Sequence, residues 1–157
     1  DDVDGDGDVD VISAVDAHGW GLAWYEQKQT DAGRRFAERL IMSDRSAEAA
    51  FGAAFTQPHA LDHVDIDGDG QMDIVTGKRM WAHGPDGDIE PAAAPVVYWF
   101  RRTRTADGAV SYQPFQIDAE SGVGVQVSAV DINNDGWTDV LTASKLGTFV
   151  FRNLGPQ

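Results

Sequence analysis

The chain has 157 residues and is 42% hydrophobic, enough for one ordinary domain with an apolar core. Its 26 acidic residues against 12 basic ones give a formal net charge of −14, which argues against nucleic-acid phosphates or anionic lipid as partners. The absence of cysteine excludes a disulfide scaffold and a zinc–thiolate site. No apolar run is long enough to span a membrane, so we expect no membrane insertion. The opening DDVDGDGDVD lies inside an acidic motif, so we expect a segment of a longer protein.

Three acidic loops share the pattern D-x-[DN]-x-D-G-x-x-D at nearly equal spacing. They read DVDGDGDVD at Asp2–Asp10, DIDGDGQMD at Asp65–Asp73 and DINNDGWTD at Asp131–Asp139. Carboxylates packed this closely repel one another unless a cation lies among them. A solvated acidic turn is the ordinary explanation of one Asp-Gly loop, but it is a poor explanation of three similar copies.

The composition of the loops favours calcium, which takes about six to eight oxygen ligands in flexible geometry, over magnesium, which demands a regular octahedron. Side chains at positions 1, 3 and 5 can point at one centre, and position 7 can add its backbone carbonyl. Position 9 can close the cage, and glycine at position 6 permits the sharp turn. We expect up to three Ca²⁺ ions, with the third loop binding more weakly because asparagine replaces a carboxylate at its position 3. The candidate ligands are Asp2, Asp4, Asp6, Asp8 and Asp10, then Asp65, Asp67, Asp69, Gln71 and Asp73, and finally Asp131, Asn133, Asp135, Trp137 and Asp139.

An EF-hand does not fit these loops. That motif requires a bidentate glutamate at position 12 between two helices, whereas position 12 here is Ser13, Thr76 or Thr142. The residues that follow the loops, DVISA, DIVTG and DVLTA, are β-branched runs, which favour strands.

The segments that follow the β-branched runs complete a repeating unit of strands. Each unit continues with an aromatic strand that has a polar end, and the first two units add a fourth segment. Four short antiparallel strands per unit, at a period slightly above 60 residues, are typical of a β-propeller blade. The aromatic strands are Gly21–Gln27, Val96–Arg102 and Gly147–Asn153, and the fourth segments are Arg34–Met42 and Val110–Asp118. Alternation along the aromatic strands predicts that Trp24, Tyr25, Tyr98, Trp99, Phe149 and Phe151 are mainly core residues.

The chain resembles the FG-GAP/VCBS-type repeat propellers, a family that includes the integrin-α propeller and many large secreted bacterial proteins. The resemblance rests on the three acidic loops and on the WYEQ, YWFRR and FVFRN strands. It covers nearly the whole chain apart from Ser43–Pro58 and Arg79–Pro95. It implies an all-β fold of four-stranded antiparallel blades, with calcium loops between the first and second strands. It also implies an extracellular, cell-surface or periplasmic location.

Carried over to this chain, the resemblance implies one partial propeller of about three blades. Blade one (1–42) lacks its first strand, blade two (60–118) is complete, and blade three (125–157) lacks its fourth strand. Propellers typically close with about four to eight blades, so we expect an open arc with exposed strand edges. Its expected partners are the remaining blades or other domains of a longer protein, or other copies of the chain. The second loop, inside the complete blade, is expected to be the best ordered.

The loops at the opposite end of the blades are the candidate ligand face, because long loops on a rigid scaffold commonly carry function. A short helix is expected within Ser46–Phe55, in the connection between the first two blades. The residues singled out on this face are His18, Trp20, His59, Trp81 and His83. The aromatic groups would suit a glycan or protein ligand, and three histidines could bind a transition metal. Taken singly, each residue is more simply explained by packing of its own loop.

The sequence favours a non-catalytic, calcium-binding segment that serves adhesion or partner binding outside the cell. It contains no nucleophile elbow, phosphate-binding loop or zinc signature. One alternative is the propeller part of a polysaccharide-acting, lyase-like enzyme, for which Asp62, Glu90 and Glu120 remain free. The other alternative is a purely structural scaffold.

Overall fold

Three antiparallel sheets follow one another along the chain in the computed structural model, which describes residues 1–156. Sheet one consists of β1 (Val11–Ala14), β2 (Leu22–Thr30) and β3 (Gly33–Met42). Sheet two consists of β4 (Leu61–Val64), β5 (Asp73–Gly77), β6 (Val97–Arg104) and β7 (Val110–Asp118). Sheet three consists of β8 (Val127–Val130), β9 (Asp139–Ser144) and β10 (Gly147–Phe151). Within the described residues nearly all regular structure belongs to these antiparallel sheets, and the sheets do not close into a barrel. The predicted all-β blade architecture is therefore confirmed.

Within residues 1–156, helical structure is confined to the connection between sheets one and two. A 3-10 turn at Arg45–Ala47 leads into a one-turn helix, α1 (Glu48–Phe51), which lies inside the segment predicted to be helical. The side chain of Asp44 caps the turn by accepting a hydrogen bond from the Ser46 N–H. Neither helix in residues 1–156 is long and apolar enough to cross a membrane.

The strands lie inside the predicted blades, with β1–β3 within 1–42, β4–β7 within 60–118 and β8–β10 within 125–157. Sequential strands pair antiparallel, as β-branched and aromatic residues with short turns favour, and the β2–β3 and β6–β7 pairs each contain one register shift. The last residue of predicted blade three, Gln157, lies outside the described residues.

Apolar side chains pack between successive sheets in two clusters. Leu22 and Met42 of sheet one meet Ile74 and Phe100 of sheet two in the first cluster. Val75 and Val97 of sheet two meet Val127 and Val140 of sheet three in the second cluster. The sheets therefore stack face to face through their inner residues, which is how propeller blades bury their cores.

The aromatic strands are less buried than their alternation predicts. Of the six aromatic residues expected in the core, Trp24 is buried, and the other five are half-buried. Trp99 and Phe151 pack against the second cluster, whereas Phe149 belongs to neither cluster. Phe149 and Phe151 keep exposed surface because, among the described residues, sheet three packs on sheet two alone.

Lys78, directly after β5, is fully buried. Its Nζ donates a hydrogen bond to Oγ1 of Thr56, which in turn donates to the carbonyl of Ile89. An ammonium has three donors, and this is the single hydrogen bond to its Nζ among the described residues. Burial lowers the pKa of Lys78, although nearby Glu90 and Asp88 favour the charged form.

We expect Lys78→Met to raise the melting temperature at pH 7. The pKa of Lys78 is lower in the folded than in the unfolded chain. Protonation of this lysine therefore destabilises the fold increasingly as the pH falls below the unfolded-state value near 10.4. A gain of about 1 kcal/mol corresponds to about 2–4 °C for a chain of this size. Thermal melts at pH 7 and pH 9.5 would check this, and the gap between the variant and the wild type should narrow at the higher pH.

The exposed Lys145→Met is the matched control, with little expected effect at either pH. A lower melting temperature for Lys78→Met at pH 7 would contradict the destabilising role of the buried ammonium.

Candidate metal loops and ligand face

The acidic loops occupy equivalent places in the three sheets. The first precedes β1, the second joins β4 to β5, and the third joins β8 to β9. Asp73 and Asp139, at position 9, are the first residues of β5 and β9. The loops therefore lie at one end of all three sheets.

The aspartate at position 1 organises each loop by accepting at least two backbone hydrogen bonds. In the second loop, the two carboxylate oxygens of Asp65 accept from Gly68 N at 2.8 Å and from Gly70 N at 2.9 Å. The same pair of bonds forms at Asp2, from Gly5 and Gly7, and at Asp131, from Asn134 and Gly136. Three different sequences thus adopt one turn.

The side chains at positions 3 and 5 continue the turn. Asp67 accepts from Asp69 N at 3.2 Å, and Asp69 accepts from Gln71 N at 2.8 Å. Asn133 and Asp135 make the equivalent bonds in the third loop, at 2.8 and 3.0 Å. Each side chain is held by the residue two positions later, as in Asx turns.

Carboxylate oxygens converge in the first two loops. One oxygen each from Asp2, Asp4 and Asp6 lie within 4.8 Å of one another, and the same holds for Asp65, Asp67 and Asp73. In the third loop, Asn133 offers an amide oxygen in place of the carboxylate at position 3. Such groups of oxygen atoms fit a hard cation such as Ca²⁺, which binds carboxylate, amide and carbonyl oxygens.

Position 4 of each loop is left-handed, a feature that the sequence analysis missed. The φ angles are 82° at Gly5, 75° at Gly68 and 61° at Asn134. Glycine adopts this conformation freely, and asparagine is among the residues that tolerate it best. The signal was present in the sequence as Gly, Gly and Asn at one position.

The aspartates at position 9 fasten each loop to the sheet behind it. They are nearly fully buried, and each accepts two backbone hydrogen bonds, one from position 2 of its loop and one from the end of the aromatic strand. The donors are Val3 and Gln27 for Asp10, Ile66 and Arg102 for Asp73, and Ile132 and Asn153 for Asp139. Burial raises the pKa of Asp73, outweighing the hydrogen bonds that it accepts from Arg102 and Ile66. A neighbouring cation would favour the charged form of this buried carboxylate.

An arginine from the aromatic strand reaches the second and third loops. Arg101 places its Nε 2.6 Å from Asp67 and its Nη2 3.3 Å from Asp69, and Arg152 lies 3.5 Å from Asp135. The equivalent residue in sheet one is Glu26, which pairs instead with Lys28 and Arg39. The guanidinium groups therefore offset part of the carboxylate repulsion in two of the three loops.

We expect Arg101→Gln to lower the melting temperature of the metal-free protein and to increase the affinity of the second loop for calcium. The guanidinium neutralises Asp67 and Asp69 without metal, but it repels an incoming cation. In chelator, the variant should melt a few degrees below the wild type. In calcium, its gain in melting temperature should exceed that of the wild type.

Arg34→Gln, an exposed arginine of β3, serves as the control and should change neither value appreciably. Equal calcium gains in Arg101→Gln and the wild type would contradict competition between the arginine and the ion.

Three of the predicted ligand-face residues meet at the opposite end of the sheets. The rings of His18 and His83 have centroids 4.7 Å apart, and those of His18 and His59 are 5.2 Å apart. His18 lies in the β1–β2 loop, His59 precedes β4, and His83 lies in the β5–β6 loop. Burial lowers the pKa of His59, with the charges of Arg79 and His18 acting in the same direction.

Asp88 is the fourth member of this cluster, and sequence reasoning missed it. Its carboxylate accepts hydrogen bonds from Ala82 N at 2.8 Å and His83 N at 3.0 Å, and it contacts His83 Nδ1 at 3.0 Å. Burial alone would raise the pKa of Asp88, but these hydrogen bonds lower it below its ordinary value. Nothing in the local sequence distinguishes Asp88 from Asp86, because the difference arises from how the loop folds back on itself.

The two tryptophans of the predicted face serve their own surroundings. The indole Nε1 of Trp81 donates to the Pro91 carbonyl at 3.0 Å, which ties the β5–β6 loop together. The guanidinium carbon of Arg45 lies 5.5 Å from the ring centroid of Trp20, a cation–π arrangement. Both rings are half-buried, so each keeps some surface available.

Comparison with known proteins gives one family and no curated relative. A family model described as an FG-GAP-like repeat matches residues 2–76 and again residues 65–142. No curated protein matches the chain significantly. The two matched ranges together include all three acidic loops, β1 and β5, and the first four residues of β9. The chain therefore belongs to the FG-GAP-like repeat family and forms a segment of its β-propeller architecture.

Proposed function

We propose that the chain is a calcium-binding propeller segment that serves adhesion, or ligand or partner binding, outside the cell and without catalysis. The observation that carries the proposal is the common turn of the three loops, in which aspartate or asparagine side chains at positions 1, 3 and 5 are held by equivalent backbone hydrogen bonds. Acidic surface residues without a shared ligand have no reason to repeat such a turn three times.

Calcium would supply positive charge where the fold concentrates negative charge. Three ions would change the formal net charge from −14 to −8. Extracellular modules bind calcium with dissociation constants of about 10⁻⁴–10⁻³ M, so even weak loops would be occupied outside the cell. A calcium requirement of this kind supports an extracellular, cell-surface or periplasmic location.

The ligand would bind at the end of the sheets that carries the histidines and tryptophans. A glycan or a protein surface suits these partly exposed aromatic rings. The exposed edges of sheets one and three would pair with strands of a longer protein or of other copies of the chain, and further blades would stack on the outer faces of these sheets.

Catalysis has less support. The FG-GAP repeat family is generally non-catalytic. Of the acids left free for glycan chemistry, Glu90 pairs with Arg45 at 2.6 Å, and Asp62 accepts a hydrogen bond from Ala129 N at 2.7 Å. Both carboxylates therefore have structural partners.

Titration calorimetry with CaCl₂ tests the calcium part of the proposal. The wild type should take up three ions, and the double variant Asp65→Asn/Asp67→Asn should take up one ion fewer. Asp31→Asn, in the exposed β2–β3 turn, removes the same kind of charge outside the loops and should leave the stoichiometry unchanged. Absence of saturable calcium binding would refute the proposal.

The binding role is tested separately by screening immobilised glycans and extracellular proteins in calcium and in chelator. We expect retention of at least one ligand class without turnover. Cleavage of a polysaccharide by the purified chain would instead favour the enzyme alternative.

A further inference from the structure

The cluster at the end of the sheets opposite the acidic loops has the composition of a second kind of metal site. It combines nitrogen ligands with one buried carboxylate, whereas the acidic loops offer oxygen atoms alone. One potential ligand atom each from His18, His83 and Asp88 lie within 4.8 Å of one another. His59 adds a third imidazole beside His18. We propose that this cluster binds a divalent transition-metal ion of the Zn²⁺ or Cu²⁺ class through its imidazoles.

The imidazole of His83 is oriented as in many protein metal sites. The Asp88 side chain is only 1% exposed, whereas that of His83 is 61% exposed. The ionised carboxylate can only accept a hydrogen bond, so Nδ1 of His83 carries the hydrogen and the lone pair of Nε2 is free for a metal. A carboxylate that holds the far nitrogen of a ligating histidine is the usual supporting contact in such sites, because it fixes the tautomer and makes the imidazole more basic.

His59 contributes a ring nitrogen that the described residues leave without a hydrogen bond. Its Nδ1 is buried and has no hydrogen-bond partner among the described residues. A buried ring nitrogen without a partner is costly unless something binds it. A metal ion, or a metal-bound water, would satisfy it.

A single buried residue holds the three histidine-bearing segments together. Gln57 donates its N–H to the Gly19 carbonyl at 2.8 Å, and its own carbonyl accepts from Arg79 N at 3.0 Å. Its side-chain oxygen accepts from Ala82 N at 3.1 Å. The residue has φ 58°, a strained conformation for a non-glycine residue. These contacts fix the neighbours of His18, His59 and His83 before any ligand arrives.

The remaining movement needed for metal binding is small. At zinc–nitrogen distances near 2.05 Å, ligand atoms in a tetrahedral site lie about 3.3 Å apart. The two imidazole rings of His18 and His83 already have centroids 4.7 Å apart. His18 and His83 are exposed, so rotation of their side chains can close the difference without moving the backbone. Imidazole ligands suit zinc and copper, whereas calcium and magnesium prefer oxygen, so occupancy of the two ends would be independent.

Calorimetric titration of the calcium-loaded chain with ZnCl₂ tests the proposal. We expect one site with a dissociation constant in the micromolar range. His18→Gln and His83→Gln should each weaken binding at least about tenfold, and Asp88→Asn should weaken it by about 10–100-fold. His63→Gln is the matched control, because the fourth histidine lies in β4, away from the cluster, and zinc binding should be unchanged.

Copper provides a readout that needs no variant. The electron paramagnetic resonance spectrum of one equivalent of Cu²⁺ should show coupling to at least two imidazole nitrogens. An all-oxygen spectrum would overturn the proposal, as would zinc binding that survives both histidine substitutions. Loss of zinc binding in Asp65→Asn/Asp67→Asn would also overturn it, because the ion would then occupy an acidic loop.

Discussion

Replacing Asp73 by alanine should lower the free energy of unfolding by about 3 kcal/mol or more, because each buried donor left without a partner costs about 1–3 kcal/mol. Two backbone donors, Ile66 N and Arg102 N, would lose their acceptor at once. Asp73 is fully buried, so water cannot replace the carboxylate without disturbing the second loop. The loss has two parts: the second loop loses its hydrogen bond to Asp73 through Ile66 N, and β6 loses its hydrogen bond to Asp73 through Arg102 N.

Chemical denaturation in chelator is the appropriate measurement, since it separates this structural role from any bound metal. A loss of about 3 kcal/mol corresponds to about 6–12 °C in melting temperature for a chain of this size. Asp73→Asn keeps one acceptor oxygen and should lose less. Asp69→Ala, an exposed aspartate of the same loop, should change stability little. Similar losses for Asp69→Ala and Asp73→Ala would contradict the fastening role.

Local patterns carried most of the fold prediction. The β-branched runs after each loop became β1, β5 and β9, and the aromatic strands became β2, β6 and β10, because strand propensity and turn glycines act over a few residues. The repeat then placed equivalent strands in equivalent sheets. The burial of the aromatic residues was predicted less well, because alternation along a strand does not show which contacts a side chain makes with a neighbouring sheet.

Contacts between distant segments were out of reach of the sequence. The hydrogen bond from Arg102 N to Asp73 spans 29 residues, and the one from Gln27 N to Asp10 spans 17 residues. The loop pattern contains the aspartate but not its partner. The sequence likewise shows Arg101 only as part of a polar strand end, and it is the register of β5 and β6 that brings its guanidinium to the second loop.

The histidine cluster shows the same limit. Strand direction was enough to predict that His18, His59 and His83 lie at one end of the sheets. The approach of the His18 ring to those of His83 and His59, with centroids 4.7 and 5.2 Å apart, depends on Gln57 and Asp88. Both of these are single polar residues with no motif around them.

Calcium should produce the other large effect, a rise in melting temperature of about 8–16 °C between chelator and 1 mM CaCl₂. At ten times the dissociation constant, each site that binds only the folded state adds about 1.4 kcal/mol, so three sites add about 4 kcal/mol. The conversion uses about 2–4 °C per kcal/mol for a chain of this size. The physical cause is relief of repulsion among carboxylates that the loop hydrogen bonds hold together.

Scanning calorimetry in chelator, calcium and magnesium measures this shift, and magnesium should give less because it resists dehydration and demands octahedral geometry. Asp65→Asn/Asp67→Asn should lose about one third of the calcium gain if the three sites contribute equally. Asp131→Asn should remove less than one third of the calcium gain, since Asn133 already lowers the calcium affinity of the third loop. If the third loop filled at a lower calcium concentration than the second, the predicted order of calcium affinities would be wrong. Identical melting temperatures in chelator and in calcium would contradict a structural role of calcium in this propeller segment.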